Sequence, residues 1–300
     1  MLLLRHILVA TDFSPISIAP LRHALGIARR YHSRVTLLHV IDGSFFGITA
    51  PDAIAADTDC ALRDGGELIA HLDKEGIAQG LKLDFTARVG PASETVLDVI
   101  GEKQADLLVL GTHGRSGLGK LVLGSVAQKA FREALCPVLT VGPKAAHSTS
   151  SGAEAMHFLV PTDLSGASMN AIQHGVSLAK ATGGDLTLLH VLDPHTKRNV
   201  DTAKILAEVE SQVDQFLNKH PGAAGRIRCR LEFGAPAQSI VKVAEQSHPD
   251  LIVMGLRAWS PDGQPPWRTA YDVVIQAPCP VVSMKTPLRT TTDSSGENSK

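Results

Sequence analysis

Residues 7–42 read ILVATDFSPISIAPLRHALGIARRYHSRVTLLHVID, and residues 158–193 read FLVPTDLSGASMNAIQHGVSLAKATGGDLTLLHVLD. The two stretches align without a gap and agree at 14 of 36 positions. Thr11-Asp12 returns as Thr162-Asp163, and Thr36-Leu37-Leu38-His39-Val40 returns as Thr187-Leu188-Leu189-His190-Val191. Beyond them, ADLLVLG at 105–111 is echoed by PDLIVMG at 249–255, and Cys136-Pro137-Val138 by Cys279-Pro280-Val281. A period of about 145–150 residues is too long for a solenoid unit and matches a whole domain, so the chain is a duplicated domain.

The quoted stretch also sets the element pattern. His6–Ala10 is a short Ile/Val-rich run between turn residues, as expected of a strand buried on both faces. Ser17–Tyr31 carries Ile18, Leu21, Leu25 and Ala28 at helical spacing, and Val35–Ile41 is the next strand. The same reading predicts a long helix over Ile54–Gln79, a strand over Leu81–Val89 and a helix over Ser93–Glu102. A strand at Leu107–Leu110, a helix at Gly124–Leu135 and a strand at Val138–Val141 close the first half, and the second half repeats the order. Strands alternating with helices imply right-handed crossovers and a mostly parallel α/β sheet. Ligands of such sheets lie beyond the carboxyl ends of the strands, where the strand order switches.

Composition narrows the functions. The 300 residues are 44% hydrophobic and 20% charged, which is ample for packed cores. Lys and Arg total 29 against 30 Asp and Glu, so no broad basic field exists to grip nucleic acid or anionic lipid. No run reaches the ~20 apolar residues of a membrane span. Met1-Leu2-Leu3-Leu4-Arg5 is too short for a secretory h-region. Cys60, Cys136, Cys229 and Cys279 have neither CxxC nor metal spacing, and a cytoplasmic protein is expected. The expected domains are 1–143 and 156–287. Between them runs a small, polar linker, 144–155, and the 288–300 tail is expected to be disordered.

The feature richest in chemistry is GTHGRSGLGKLVLGS at 111–125, between a strand and a helix. Its glycines let backbone N–H groups approach an anion, and Gly124-Ser125 opens a helix whose free N–H donors and dipole favour phosphate. Arg115 and Lys120 can add charge. A flexible glycine-rich turn is the bland alternative. Gly114–Lys120 fits the first seven positions of a P-loop, but Leu121 stands where the Mg²⁺-binding hydroxyl belongs, and the helix starts too late. The P-loop reading is therefore rejected. Asp12, ending the first strand, either holds a base or ribose or belongs to a helix cap with Ser14 and Ser17. Val40 could offer backbone to a purine edge or be plain core. His39 and His190 read as structural histidines, and the two Cys-Pro pairs as buried packing.

With these motifs in place, the chain resembles a tandem universal stress protein. The family pattern G-x2-G-x9-G-[ST] is matched by Gly111, Gly114, Gly124 and Ser125, and the opening ILVATDFS and the TLLHV strand are also typical of the family. The resemblance implies two Rossmann-like, doubly wound domains, each a five-stranded parallel sheet of order 3-2-1-4-5, and an ATP-binding first domain. It places base and ribose at Ala10, Thr11, Asp12, Val40 and Leu110. It places the phosphates at Gly111, His113, Gly114, Arg115, Gly124, Ser125 and Val126, with Mg²⁺ or Mn²⁺ arriving on the phosphates. It also implies an intramolecular pseudo-dimer through Val138–Val141 and Val281–Met284, with a homodimer possible in addition.

The second half departs from the pattern. Ala258 stands at the position of Gly114, the Gly-Ser helix start is missing, and Pro261, Pro265 and Pro266 remove N–H donors. Thr162-Asp163 and Val191 survive, so an adenosine-sized crevice without a triphosphate cradle is expected there. Three functions follow: a non-enzymatic ATP-binding stress protein, a slow ATP hydrolase or phosphotransferase, and a nucleotide-independent interaction module. The absence of an evident general base disfavours the second.

Overall fold

The computed structural model describes residues 4–42, 51–112, 123–145, 156–192, 201–219, 226–257 and 267–285. The first half runs β1 (His6–Ala10), a single 3-10 turn (Pro15–Ser17), α1 (Ile18–Tyr31), β2 (Arg34–Ile41), α2 (Pro51–Lys74) and β3 (Lys82–Val89). It continues with α3 (Ala92–Lys103), β4 (Leu107–Gly111), α4 (Ser125–Glu133) and β5 (Val138–Val141). The second half repeats it as β6 (His157–Thr162), α5 (Gly166–Thr182), β7 (Asp185–Leu192), α6 (Thr202–Lys219) and β8 (Ile227–Phe233). It ends with α7 (Pro236–Ser247), β9 (Leu251–Leu256), α8 (Arg268–Gln276) and β10 (Val281–Lys285). Most of the 144–155 linker and all of the 288–300 tail lie outside the described residues.

All ten strands join in one sheet of order β3-β2-β1-β4-β5-β10-β9-β6-β7-β8. Each half thus has the order 3-2-1-4-5, with parallel neighbours throughout. The halves meet at β5 and β10, which pair antiparallel with Leu139 opposite Val282. Thr140 and Ser283 donate their hydroxyls across this seam, to the carbonyls of Val281 (3.1 Å) and Val138 (3.3 Å).

The strand pattern explains two cores. Side chains alternate across a strand, so Leu8, Leu38, Leu108 and Val138 enter one apolar layer while Ile7, Val9, Leu37 and Val109 enter the other. Helices cover both layers. In α1, Leu21, Ala24, Leu25 and Ala28 recur at i, i+3, i+4 and i+7 and are buried. Each of the two leucines is worth about 1.5–3 kcal/mol of burial. The helix stops at His32, whose φ of 55° turns the chain out. The long helix departs from expectation. It spans 51–74 rather than 54–79, and Ile77 and Ala78 instead donate their amides to the Leu72 carbonyl in a turn.

The amino-terminal ends of the strands are fastened by a duplicated device. Asp106 accepts from the backbone of Arg5 and His6 (2.7 and 2.9 Å), and Asp250 accepts from that of His157 (2.8 Å). The carboxyl ends carry the candidate site.

Candidate functional site

Strand β1 runs out into Thr11-Asp12-Phe13-Ser14, and three local groups shape that turn. Thr11 extends the ladder, donating its amide to the Leu38 carbonyl (2.9 Å). Its hydroxyl accepts from the Phe13 amide (3.1 Å) and donates to Ser17 Oγ (3.0 Å). Phe13 takes a φ of 58°, an uncommon conformation for a bulky residue. The Asp12 Oδ1 atom accepts from both the amide and the hydroxyl of Ser14 (3.0 and 2.6 Å), while Oδ2 is buried. His39 donates from Nδ1 to the Thr11 carbonyl (2.8 Å), and its ring packs on Phe13 with centroids 4.8 Å apart. Asp12 therefore shapes the turn and does not cap α1, whose N-cap carries no side-chain hydrogen bond.

The other wall comes from β4. Thr112, fully buried, donates its amide to the Val141 carbonyl (3.3 Å) and accepts the Gly124 amide (2.8 Å). This brings Gly124 back to the end of β4 and starts α4 there. Gly124 is the N-cap of α4, with φ −62° and ψ 154°. Those angles suit any residue, so the glycine is not required for backbone conformation. What it lacks is a capping side chain. The first-turn N–H groups, from Ser125, Val126 and Ala127, have no intrahelical acceptors and are left for a ligand or water.

The sequence-predicted residues distribute as follows. Ala10, Val40 and Val126 are half-buried and pack on one apolar cluster that also buries Leu110, so they come together at one end of the sheet. Thr11 and Asp12 directly follow β1, Gly111 ends the adjacent strand β4, and Gly124 and Ser125 open the helix beside them. His113, Gly114 and Arg115 lie outside the described residues. Among the described residues no group of three or more His, Cys, Asp or Glu side chains could hold a metal ion.

The second half repeats the turn in detail. Leu164 has φ 63°, and its amide donates to Thr162 Oγ1 (3.1 Å). The Thr162 hydroxyl donates to Ser168 Oγ (3.0 Å), and His190 donates to the Thr162 carbonyl (2.8 Å). Asp163 accepts from the Ser165 amide (3.0 Å). The difference is Arg257, which occupies the position of His113 and donates to Asp163 Oδ2 as an ion pair. Burial works against the Asp163 carboxylate, but hydrogen bonds from Ser165 and Ser168 and the Arg257 charge outweigh it and lower its pKa. The carboxylate of the crevice expected here is thus paired with a partly exposed arginine. The N-cap of α8 is Trp267, at the position of Gly124, with helical angles (φ −93°, ψ −2°). Gly255 survives in this half for a packing reason. A Cβ there would collide with the backbone of Ala167 and Ser168 at the start of α5.

Two contacts escaped the sequence reading. The Arg257–Asp163 pair had one signal, an arginine at the histidine position of the repeat. The other contact had none. Tyr271 on α8 accepts, at its hydroxyl, the Leu123 amide of the first half (3.0 Å).

A model of the universal stress protein family matches residues 4–142 and again 155–285. The chain belongs to the universal stress protein family. A universal stress protein of Methanocaldococcus jannaschii is 31% identical over 140 residues, covering 46% of this chain and 82% of its own length. One of Mycolicibacterium smegmatis is 26% identical over 265 residues, covering 83% of this chain and 86% of its own. A universal stress protein structure from Archaeoglobus fulgidus superposes with a TM-score of 0.71 at 21% identity. The match covers 95% of this chain and 98% of that one, and it shows the same fold. Among the described residues no helix is long and apolar enough to cross a membrane.

Proposed function

We propose that this universal stress protein binds one ATP per chain, in the first half, as a structural or signalling ligand rather than as a substrate. The observation that carries this reading is the asymmetry between the two helix starts beside the matching turns, Gly124 at one N-cap and Trp267 at the other. In the first half the β1 turn faces a helix start with a glycine N-cap and uncapped amides. In the second half the same turn is occupied by Arg257. Base and ribose would meet Ala10, Thr11, Asp12, Val40 and Leu110. The phosphates would meet Gly111, His113, Gly114, Arg115, Gly124, Ser125 and Val126, with Mg²⁺ or Mn²⁺ carried on the phosphates. The domain limits 1–143 and 156–287, joined through β5 and β10 as an intramolecular pseudo-dimer, complete the reading.

Gly124→Asp tests it. Aspartate is a favoured N-cap, so its carboxylate would accept from the α4 amides and stabilise the helix by a few tenths of a kcal/mol relative to glycine. The same carboxylate would compete with the phosphates for those amides and repel them. Losing two charge-assisted hydrogen bonds of about 1.5–3 kcal/mol each lowers ATP affinity at least a hundredfold. Calorimetry with Mg-ATP should therefore show loss of binding in a variant that melts no lower than the parent. Unchanged affinity in the folded variant would put the phosphates elsewhere. Mass spectrometry of ligand released from purified protein separates the alternatives: ATP supports the reading, whereas ADP or AMP points to hydrolysis.

A further inference from the structure

Tyr271 sits in the first turns of α8, at the position that Gln128 holds in α4. The two residues are equivalent in the repeat, yet both converge on one residue of the first half. Gln128 donates from Nε2 to the Leu123 carbonyl (2.7 Å). Tyr271 reaches across from the other half and accepts the Leu123 amide (3.0 Å). Leu123 itself is buried, and the next residue, Gly124, donates its amide to Thr112 (2.8 Å). Three hydrogen bonds on two consecutive residues thus fix where the chain enters α4, and one of them comes from the other half.

Tyr271 is held to this task by its surroundings. It packs, with Trp267, on the apolar cluster shared by both halves. Its neighbours Val273 and Val274 are fully buried, and the Val274 carbonyl lies against Gly142 at the exit of β5. Helix α8 therefore cannot move relative to β5 without disturbing the Leu123 contact.

We propose that Tyr271 is a positioning residue for the phosphate-binding end of the first-half site, so that the second half tunes nucleotide affinity without binding nucleotide itself. This rests on the ATP reading above. The hydroxyl acts through the Leu123 amide, one residue before the glycine N-cap, and so sets where the α4 amides point. Base and ribose contacts at the ends of β1 and β2 lie outside its reach.

The full-length Tyr271→Phe variant keeps the ring and removes the acceptor. In the ligand-free protein, hydrogen exchange at the Leu123 amide should accelerate at least tenfold while amides in β1 keep their parental rates. ATP affinity should fall about fivefold, as for one net hydrogen bond, while adenosine affinity stays at the parental value. Unchanged exchange at Leu123, or equal losses for ATP and adenosine, would overturn the positioning role. A parent protein that binds no ATP at millimolar concentration would instead overturn the nucleotide reading, and the proposed tuning with it, even if the exchange result identifies Tyr271 as an anchor.

Discussion

Phe13 and Leu164 adopt left-handed angles, a conformation that costs a side chain with a Cβ about 1–2 kcal/mol. In both halves the threonine two residues earlier offsets that cost by accepting the strained amide. Thr11→Val keeps the shape and removes the hydroxyl, leaving the Phe13 amide without its acceptor and Ser17 Oγ without one donor, while Ser17 still donates to the Ser14 carbonyl. Chemical denaturation should show a loss of about 1–3 kcal/mol, and ATP binding should weaken because Asp12 rides on the same turn. A variant as stable as the parent would mean that the turn is held by packing alone. A second prediction at this scale concerns pH. Burial is the largest cause lowering the pKa of both His6 and His23 below the usual 6.5. At His6, Thr36 spends its hydroxyl proton on Asp84 (2.7 Å), so His6 Nε2 must donate to Thr36 (2.8 Å). Nδ1 is left as an acceptor for Arg34 (3.0 Å), and protonating it trades that bond for one to the Lys103 carbonyl (2.9 Å). The folded pKa values lie below the unfolded ones, so the unfolded chain binds protons first as pH falls. Stability is full above about pH 6.5 and declines below it. Melting temperature measured from pH 8 to 5.5 should therefore drop through the lower part of that range. A flat or rising profile would contradict the assignment.

Among the elements, β5 and β10 matter most, since each closes its own half and both form the seam. Gly142 follows β5 directly, and a Cβ there would stand 2.8 Å from the Val274 carbonyl of α8. Helix α8 is anchored by buried Ala270, Val273 and Val274, so it cannot retreat cheaply. Gly142→Ala should cost about 1–3 kcal/mol by overpacking, read as a lower denaturant midpoint with an unchanged slope. A neutral result would show that the seam has slack. The elements were legible in the sequence to differing degrees. Strands β1, β4 and β5 were found almost to the residue, because fully buried parallel strands are short apolar runs between turn signals. The long helix was misplaced because Ile77 stays half-buried after α2 ends and keeps an apolar pattern running past the true stop at Lys74. The Asp12 turn was legible because the repeat preserves Thr-Asp-x-Ser in both halves. Arg257 and Tyr271 act over 94 and 148 residues of sequence, and no local periodicity marks such contacts.

For the whole molecule, duplication has produced two unequal halves on one continuous sheet. Covalent linkage gives each half an effective partner concentration of roughly millimolar, which favours the closed seam without strong contacts. Solution scattering should therefore give a single compact particle, and a two-bead profile with independent halves would refute the arrangement. Under the proposed function, the inequality of the halves would set the binding stoichiometry. Both possess the turn that would hold a nucleoside, but the helix start beside it has a glycine N-cap in the first half and Trp267 in the second, where Arg257 also pairs with Asp163. A nucleotide entering the second half would have to displace Arg257 from Asp163, and it would find Trp267 in place of Gly124. The phosphates carry most of the charge-assisted contacts available to ATP, so adenosine contacts alone would not repay that displacement. Calorimetry on the full-length chain should give one ATP per chain, with Asp163→Ala leaving both stoichiometry and affinity unchanged and Gly124→Asp reducing the stoichiometry to zero. Two ATP per chain, falling to one in Asp163→Ala, would show that the second half is a working site and that Arg257 yields to nucleotide.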